Sequence, residues 1–356
     1  MAINQGLDVL TLLQDIWFIV LVLIIIIYTI LDGFDLGVGF WFFFAREKDK
    51  NITKADRKVL LQAIAPFWDG NEVWLIAAGG ILFAAFPDVY ATVFSAFYLP
   101  LILVVFCLIL RATSIEFHEE FDSPLWHRIA DTAFIIGSIV PSFSFGVVIG
   151  NLVQGLPIDV NKNFMGTFLS LFNPYALLIG ILALTIIITH GAIYIRVRTT
   201  GRLQEKATQW TKIGIIVFLT CSSISLVISV IFHNHVLENF ISNPVLLLSP
   251  LLGFVAILIT LWHIWTEADP VRTFICSVAS IALSILGAGI AIYPNLVVSS
   301  LDPSYSLTIR NASASDLGLL IMLVIALFAL PLVLLYTAYV YRLFRGKIKE
   351  DEAGLY

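Results

Sequence analysis

The sequence has little charge for its length. Of its 356 residues, 13% are Asp, Glu, Lys or Arg, whereas 59% are hydrophobic, and the mean hydropathy is +0.96. A soluble domain carries roughly 25% charged residues, so a water-facing globule of this size is excluded. The net charge of −5 gives no sign of a nucleic-acid surface. We therefore expect lipid to solvate much of the chain.

Cysteine is also scarce. Cys107, Cys221 and Cys276 each lie inside an apolar run and form no CxxC pair. This arrangement argues against a disulfide framework or a zinc site, and we expect three buried apolar side chains. The N-terminus has neither a positive n-region nor a small-residue cleavage site, so we predict no removable signal peptide.

Long apolar runs dominate the sequence. A transmembrane helix needs about 20 apolar residues. The candidate spans are residues 16–44, 60–86, 91–113, 131–153, 174–196, 212–234, 245–265, 272–294 and 316–343. Because residues 16–28 do not alternate between apolar and polar side chains, a β-barrel is disfavoured. We predict an all-α polytopic bundle of about nine spans, forming one membrane domain over residues 1–356.

Lysine and arginine are distributed unevenly between the two sides of this arrangement. Eighteen of the 20 basic residues fall on one side, including Arg111 and Arg128 in the connection between the third and fourth spans. Lys162 and Arg310 fall on the other side. Basic residues accumulate on the cytoplasmic side of membrane proteins. We predict an N-terminus outside the cell and a C-terminus in the cytoplasm.

Two of the predicted spans contain carboxyl groups. Asp32 and Asp35 lie in the first span, within DGFDLGVG, and Asp69 and Glu72 lie in the second, within WDGNEVW. An Asp at a helix centre costs about 2.5–3.5 kcal/mol to insert, which makes a functional interpretation the default. Each pair is spaced i, i+3 and shares a helix face. All four lie roughly 14–20 Å from the inner helix ends, so we expect them to meet if the spans pack together.

Such a cluster suits proton relay or cation binding, because like charges in a low dielectric cannot all be ionised. A structural alternative is a polar knot in which Asn71 satisfies the carboxyls while Gly33 and Gly37 allow close helix packing. Of the six histidines, His190 lies clearly inside a span, and no pair has the i, i+4 spacing of a metal site. We expect no metal site and no haem ligand set in this chain.

Several motifs carry a family resemblance. The segment APFWDGNEVWL at residues 65–75 resembles the signature of subunit II of cytochrome bd-type quinol oxidases. DGFDLG at residues 32–37 is similar to the same family. So are Gly137-Ser138 followed by Gly146 and Gly150-Asn151, NPYALL at residues 173–178, and HGAIY at residues 190–194.

The resemblance implies an accessory subunit of a quinol:oxygen oxidoreductase in the plasma membrane of a prokaryote. It implies an obligate heterodimer with subunit I, which carries two b haems, the d haem and the quinol-oxidising loop. Quinol and O2 are then partners of the complex. The route of oxygen entry stays open, as does the binding of a quinone, a structural lipid or a small accessory subunit. The family takes its chemical protons from the cytoplasm, along a route near Trp68 and Asp69. Asp69 is therefore the lead proton-path residue, and the further candidates are Glu72, Asp32, Asp35, Trp68 and Asn71.

Two other classes of function fit the composition. A secondary transporter would use the carboxyls for proton or cation coupling, and it should show an internal repeat or broken helices in corresponding positions. Neither feature is evident in the sequence. A structural scaffold without chemistry is a third interpretation, against which the buried acids argue.

Overall fold

A computed structural model of the protein describes residues 9–44 and 54–348. Twelve α-helices occur in this part of the chain: α1 (Val9–Phe44), α2 (Lys54–Ile64), α3 (Trp68–Ala85), α4 (Pro87–Ala96), α5 (Tyr98–Glu116), α6 (Pro124–Gln154), α7 (Pro174–Arg198), α8 (Gly201–Phe232), α9 (Glu238–Ser242), α10 (Leu248–Trp265), α11 (Pro270–Ile292) and α12 (Asp316–Leu343). The two short strands are β1 (Asn295–Val297) and β2 (Leu307–Thr308). The prediction of an all-α membrane bundle is confirmed.

Helix ends follow local chemistry. Proline occupies the first turn of α6, α7 and α11, where its missing N–H costs nothing. Asp269 caps α11 by accepting from the backbone N–H groups of Val271 and Arg272, and Asn173 caps α7 through Ala176. These caps satisfy donors that would otherwise lack partners at the helix ends.

The first helix forms the centre of the bundle. It has 36 residues, about 54 Å in length, which exceeds the roughly 30 Å hydrocarbon core of a bilayer. It packs against α3, α6, α7 and α11. A Cβ atom on Gly37 would lie 2.3 Å from the Ile187 carbonyl oxygen and 2.7 Å from the Gly191 Cα, so the backbones of α1 and α7 touch at this crossing. Glycine at both positions is what permits the contact.

Eight described helices are long and apolar enough to cross a membrane: α1, α5, α6, α7, α8, α11, α12 and the segment Pro244–Trp265, which includes α10. The predicted segment 60–86 consists instead of two helices, α2 and α3, separated by residues 65–67. Pro66 accounts for the break, because it has no N–H and clashes with a preceding helical turn. Whether α3 crosses the membrane as a ninth span stays a prediction.

The predicted segment 91–113 is also divided. It corresponds to α4 and α5, which meet at Phe97, so that Pro100 falls in the first turn of α5. At the end of the bundle where α11 finishes and α12 begins, β1 and β2 pair antiparallel. Arg310 ties this end to the start of α1 by donating to Asp15 Oδ1 at 2.6 Å and to Gln14 Oε1 at 3.0 Å.

Candidate functional site: a buried ion pair among helices 1, 3, 5 and 12

Two acids of the first helix lie in the interior of the bundle. Asp32 and Asp35 are one helical turn apart in α1, and both are 0% exposed. Phe34 and Val38, also 0% exposed, pack in the apolar core beside them. An unpaired carboxylate in such a place is very unfavourable, so the surroundings of these two side chains decide what they can do.

An arginine compensates part of this charge. Arg111 of α5 is 0% exposed, and its Nη2 lies 2.6 Å from Asp32 Oδ1 and 3.9 Å from Asp35 Oδ2. The expectation that Arg111 belongs to a cytoplasmic connection is wrong. The reason is the close approach of α5 and α6. A Cβ atom on Gly137 would lie 2.7 Å from the Arg111 Cβ, so the glycine lets α5 press against α6 with Arg111 inside the bundle.

The position of Arg111 in the sequence is itself enough to predict that it forms a buried ion pair. It ends the apolar run LILVVFCLILR, within the predicted span 91–113. A basic residue inside a span usually pairs with an acid of another helix. Applied to Asp32 and Asp35, this rule predicts the observed ion pair.

Asn71 extends the cluster towards the last helix. Its Nδ2 donates to Asp35 Oδ2 at 2.7 Å and to the Leu31 carbonyl at 3.2 Å. The hydroxyl of Tyr341, in α12, donates to Asn71 Oδ1 at 2.8 Å. Sequence reasoning missed Tyr341, because a tyrosine near the end of a span is typical of the aromatic belt at a membrane surface.

Several buried polar atoms of the cluster have no hydrogen-bond partner among the described residues. The acceptors are Asp32 Oδ2 and Asp35 Oδ1, and the donors are Arg111 Nε and Nη1 together with Trp74 Nε1. The Tyr28 hydroxyl, which lies beside Asp32, can act as either. Buried polar groups are nearly always satisfied by protein atoms or by ordered water. Because donors and acceptors occur together, a molecule that does both fits this space, and water is such a molecule.

The acids of α3 are placed differently from the expectation that all four carboxyls meet. Trp68, Asn71 and Trp74 form the buried side of α3, whereas Asp69 is exposed and Glu72 is half-buried. Successive residues of a helix are 100° apart, so Asp69 and Asn71 point in nearly opposite directions. Glu72 lies between the exposed side of α3 and its buried side, within electrostatic reach of Asp69, Asp32 and Arg111.

The histidines have other partners. The ring nitrogens of His190 lie 2.9 Å from Ser277 Oγ and 3.1 Å from the Ile30 carbonyl, and its ring stacks on Phe274 at 4.9 Å. His118 contacts Asp131 at 3.0 Å near the junction of α5 and α6. Within residues 9–44 and 54–348, no group of three or more His, Cys, Asp or Glu side chains is arranged to hold a metal ion.

Known proteins resemble this chain over nearly its whole length. The family model described as cytochrome bd terminal oxidase subunit II matches residues 13–344. Cytochrome bd-I ubiquinol oxidase subunit 2 of Escherichia coli (strain K12) is 34% identical over 371 residues, covering 96% of each chain. Cytochrome bd ubiquinol oxidase subunit 2 of Bacillus subtilis (strain 168) is 32% identical over 345 residues, covering 97% of this chain and 99% of the relative.

A solved structure shares the fold. The bd oxidase from Geobacillus thermodenitrificans superposes with a TM-score of 0.76 at 18% sequence identity, covering 94% of this chain and 98% of that one. At this level of identity the likeness concerns the arrangement of helices. It agrees with the α-helical bundle expected from the sequence.

Proposed function

Because the chain belongs to the cytochrome bd terminal oxidase subunit II family, we propose that it supplies a hydrated proton route to the oxygen-reducing subunit of a quinol oxidase. The chain is a subunit of a bd-type oxidase in the bacterial plasma membrane, in complex with subunit I. The proposed route uses Asp69 and Glu72 of α3 and the buried pair Asp32 and Asp35 of α1. Trp68 and Asn71, on the buried side of α3, set the orientation of this helix and hence of Asp69 and Glu72 relative to the acids of α1.

The observation that carries the proposal is the incomplete pairing of the buried cluster. Asp32 and Asp35 offer two carboxylates to the single guanidinium of Arg111, so one negative charge is left for a proton to neutralise. The unpartnered atoms include donors as well as acceptors. A bare cation would satisfy the carboxylate oxygens but would be repelled by Arg111, whereas water satisfies both. The geometry therefore favours a proton route over the cation-coupled transporter alternative.

The outward face of α3 is the proposed contact with subunit I. Asp69 lies on this face together with Val73, Ile76 and Phe83, which are 47%, 72% and 63% exposed. Apart from the adjoining residues and the backbone of α3 itself, no described atom lies within 4 Å of a Cβ placed on Gly80, so another helix has room to approach. An Asp exposed to lipid is expensive, and a polar or basic group of subunit I at this face would remove that cost. Asp69 would then stand where the two subunits meet.

Haem belongs to the complexes of this family, and His190, the histidine inside a predicted span, does not fit haem iron. His190 is 0% exposed, both of its ring nitrogens face hydrogen-bond partners, and Phe274 covers its ring. We place two b haems, the d haem and quinol oxidation on subunit I. The part proposed for this chain is to bind subunit I and to move protons.

The proposed orientation puts the N-terminus outside the cell and the C-terminus in the cytoplasm. It rests on the excess of basic residues on one side of the membrane. Arg111 does not contribute to that excess, because it is buried in the bundle. The remaining bias is large enough to keep the same orientation.

Replacement of Asp69 tests the proposed route. Asp69→Asn keeps the shape of the side chain but cannot exchange a proton. In the two-subunit complex we expect normal assembly and haem spectra, with steady-state oxygen consumption lowered by about tenfold or more. Asp69→Glu should retain more activity. Asp88→Asn is the matched control, because Asp88 pairs with Lys162 away from the cluster and its replacement should leave turnover unchanged.

Two outcomes would count against this role. Unchanged turnover of the Asp69→Asn complex across the pH range would remove Asp69 from the route. Disturbed haem spectra or failed assembly would assign Asp69 to structure instead.

A further inference from the structure

The last helix reaches the buried carboxyls through one tyrosine. Tyr341 lies near the C-terminal end of α12 and donates from its hydroxyl to Asn71 Oδ1 at 2.8 Å. Asn71 in turn donates to Asp35 Oδ2 at 2.7 Å. A continuous hydrogen-bond chain therefore connects α12, through α3, to an acid of α1.

The contact of Asn71 with Leu31 determines which groups donate and which accept along this series of hydrogen bonds. A backbone carbonyl only accepts hydrogen bonds, and the Leu31 oxygen lies 3.2 Å from Asn71 Nδ2. The NH2 group of Asn71 must therefore face α1, which leaves Oδ1 facing Tyr341. Because an amide oxygen only accepts, the Tyr341 hydroxyl is the donor of this contact.

The Tyr341 ring is held in place by its neighbours. It stacks on Phe67 with ring centroids 4.4 Å apart and an interplanar angle of 22°, and it meets Phe34 edge-on at 6.4 Å. The Arg198 guanidinium lies over the Phe67 ring at 5.5 Å. Arg198 also donates to the carbonyls of Phe344 and Gly346, at 2.7 and 2.6 Å, and so clamps the segment that follows α12. The hydroxyl is aimed at Asn71 before any reaction begins.

We propose that Tyr341 is a positioning residue for proton transfer at Asp35, acting through the amide of Asn71. This inference rests on the proposed proton route, since it requires Asp35 to exchange protons. Hydrogen bonds in a chain polarise one another, by roughly 10–30% per bond. Loss of the hydroxyl would weaken the bond from Asn71 to Asp35 and leave Asn71 Oδ1 without its donor.

Other ionisable groups also act on Asp35. Asp32 faces it from the same helix, Arg111 from α5, Glu72 from α3 and Tyr194 from α7. Among the described residues no hydrogen bond joins any of these four to Tyr341, so removal of its hydroxyl leaves their own contacts in place. Tyr341 also lies within electrostatic reach of Asp35, Asp32 and Tyr194, and its hydrogen-bond connection to Asp35 runs through Asn71.

The test is Tyr341→Phe in the intact two-subunit complex, because phenylalanine keeps the ring stack and lacks the hydroxyl. We expect normal assembly and haem spectra with a roughly threefold lower rate of quinol-driven oxygen consumption. The pH profile of that rate should move by about half a pH unit, the equivalent of the same threefold change. Tyr305→Phe is the control, because Tyr305 lies in the short helical turn Pro303–Tyr305 beyond the end of α11. It should change neither quantity.

The outcomes separate this inference from the proposed function. A Tyr341→Phe profile that superimposes on the wild type overturns the role of Tyr341, and so does a loss of assembly or haem. Asp35→Asn is measured in parallel. If Asp35→Asn leaves turnover unchanged, the proton route itself is wrong. If Asp35→Asn slows turnover but Tyr341→Phe does not, the role of Tyr341 alone is overturned.

Discussion

Removal of the buried Arg111 guanidinium should destabilise the bundle more than removal of a surface charge does. Arg111→Met keeps much of the side-chain length and removes the charge. It leaves Asp32 and Asp35, both 0% exposed, without their cation. Breaking a buried ion pair by deleting one partner costs about 3–5 kcal/mol, because the remaining charge is uncompensated. We expect a loss of that size for Arg111→Met in the two-subunit complex.

A second substitution separates the ion pair from general packing. Asp32→Asn removes the charge that Arg111 contacts at 2.6 Å. In the double variant Arg111→Met/Asp32→Asn no isolated charge is left at that contact. Its loss of stability should therefore be smaller than the sum of the two single losses by at least about 1 kcal/mol.

The assay is the thermal unfolding midpoint of the purified complex in detergent, followed by tryptophan fluorescence. For a unit of 356 residues, a loss of about 3 kcal/mol corresponds to a fall in the midpoint of roughly 4 °C. Arg128→Met is the matched control, because Arg128 is exposed at the start of α6, and it should change the free energy by less than about 0.5 kcal/mol. The reasoning is refuted if Arg111→Met behaves like Arg128→Met, or if the two single losses simply add.

Two further predictions concern topology and cofactors. Reporter fusions after Gly6 and after Tyr356 should report opposite sides of the membrane, because basic residues are concentrated on one side; a result on the same side would contradict the nine-span arrangement. The chain expressed without subunit I should bind no stoichiometric haem, as measured by its visible absorption spectrum, because His190 has no free ring nitrogen. Full haem content in the isolated chain would overturn the assignment of haem to the partner.

The sequence predicts the position of the buried acids in the chain but not all of their neighbours. Asp32 and Asp35 stand out because charge at membrane depth is costly. Arg111 was missed, because counting basic residues by side of the membrane treats each of them as a loop residue. Its pairing depends on the close approach of α5 and α6 at Gly137, which hydropathy does not record.

Hydropathy also does not predict which side of α3 is buried. In the segment from Trp68 to Trp74 the side with both tryptophans also holds Asn71, and the opposite side holds Val73 beside Asp69, so no purely apolar face identifies the buried one. Packing against α1 turns Asn71 inward and leaves Asp69 outward. The contact of Tyr341 with Asn71 joins residues 270 positions apart, and a single sequence gives no signal for such a pair.

The most direct test of the proton route is the rate of proton uptake during a single turnover. The fully reduced complex is mixed with oxygen, and a pH-sensitive dye in solution follows uptake in the wild type and in Asp69→Asn. The proposed route predicts that Asp69→Asn slows uptake by about tenfold or more, while oxygen binding at the haem keeps its rate. Proton uptake at the wild-type rate in Asp69→Asn would contradict the claim that this subunit delivers protons through Asp69.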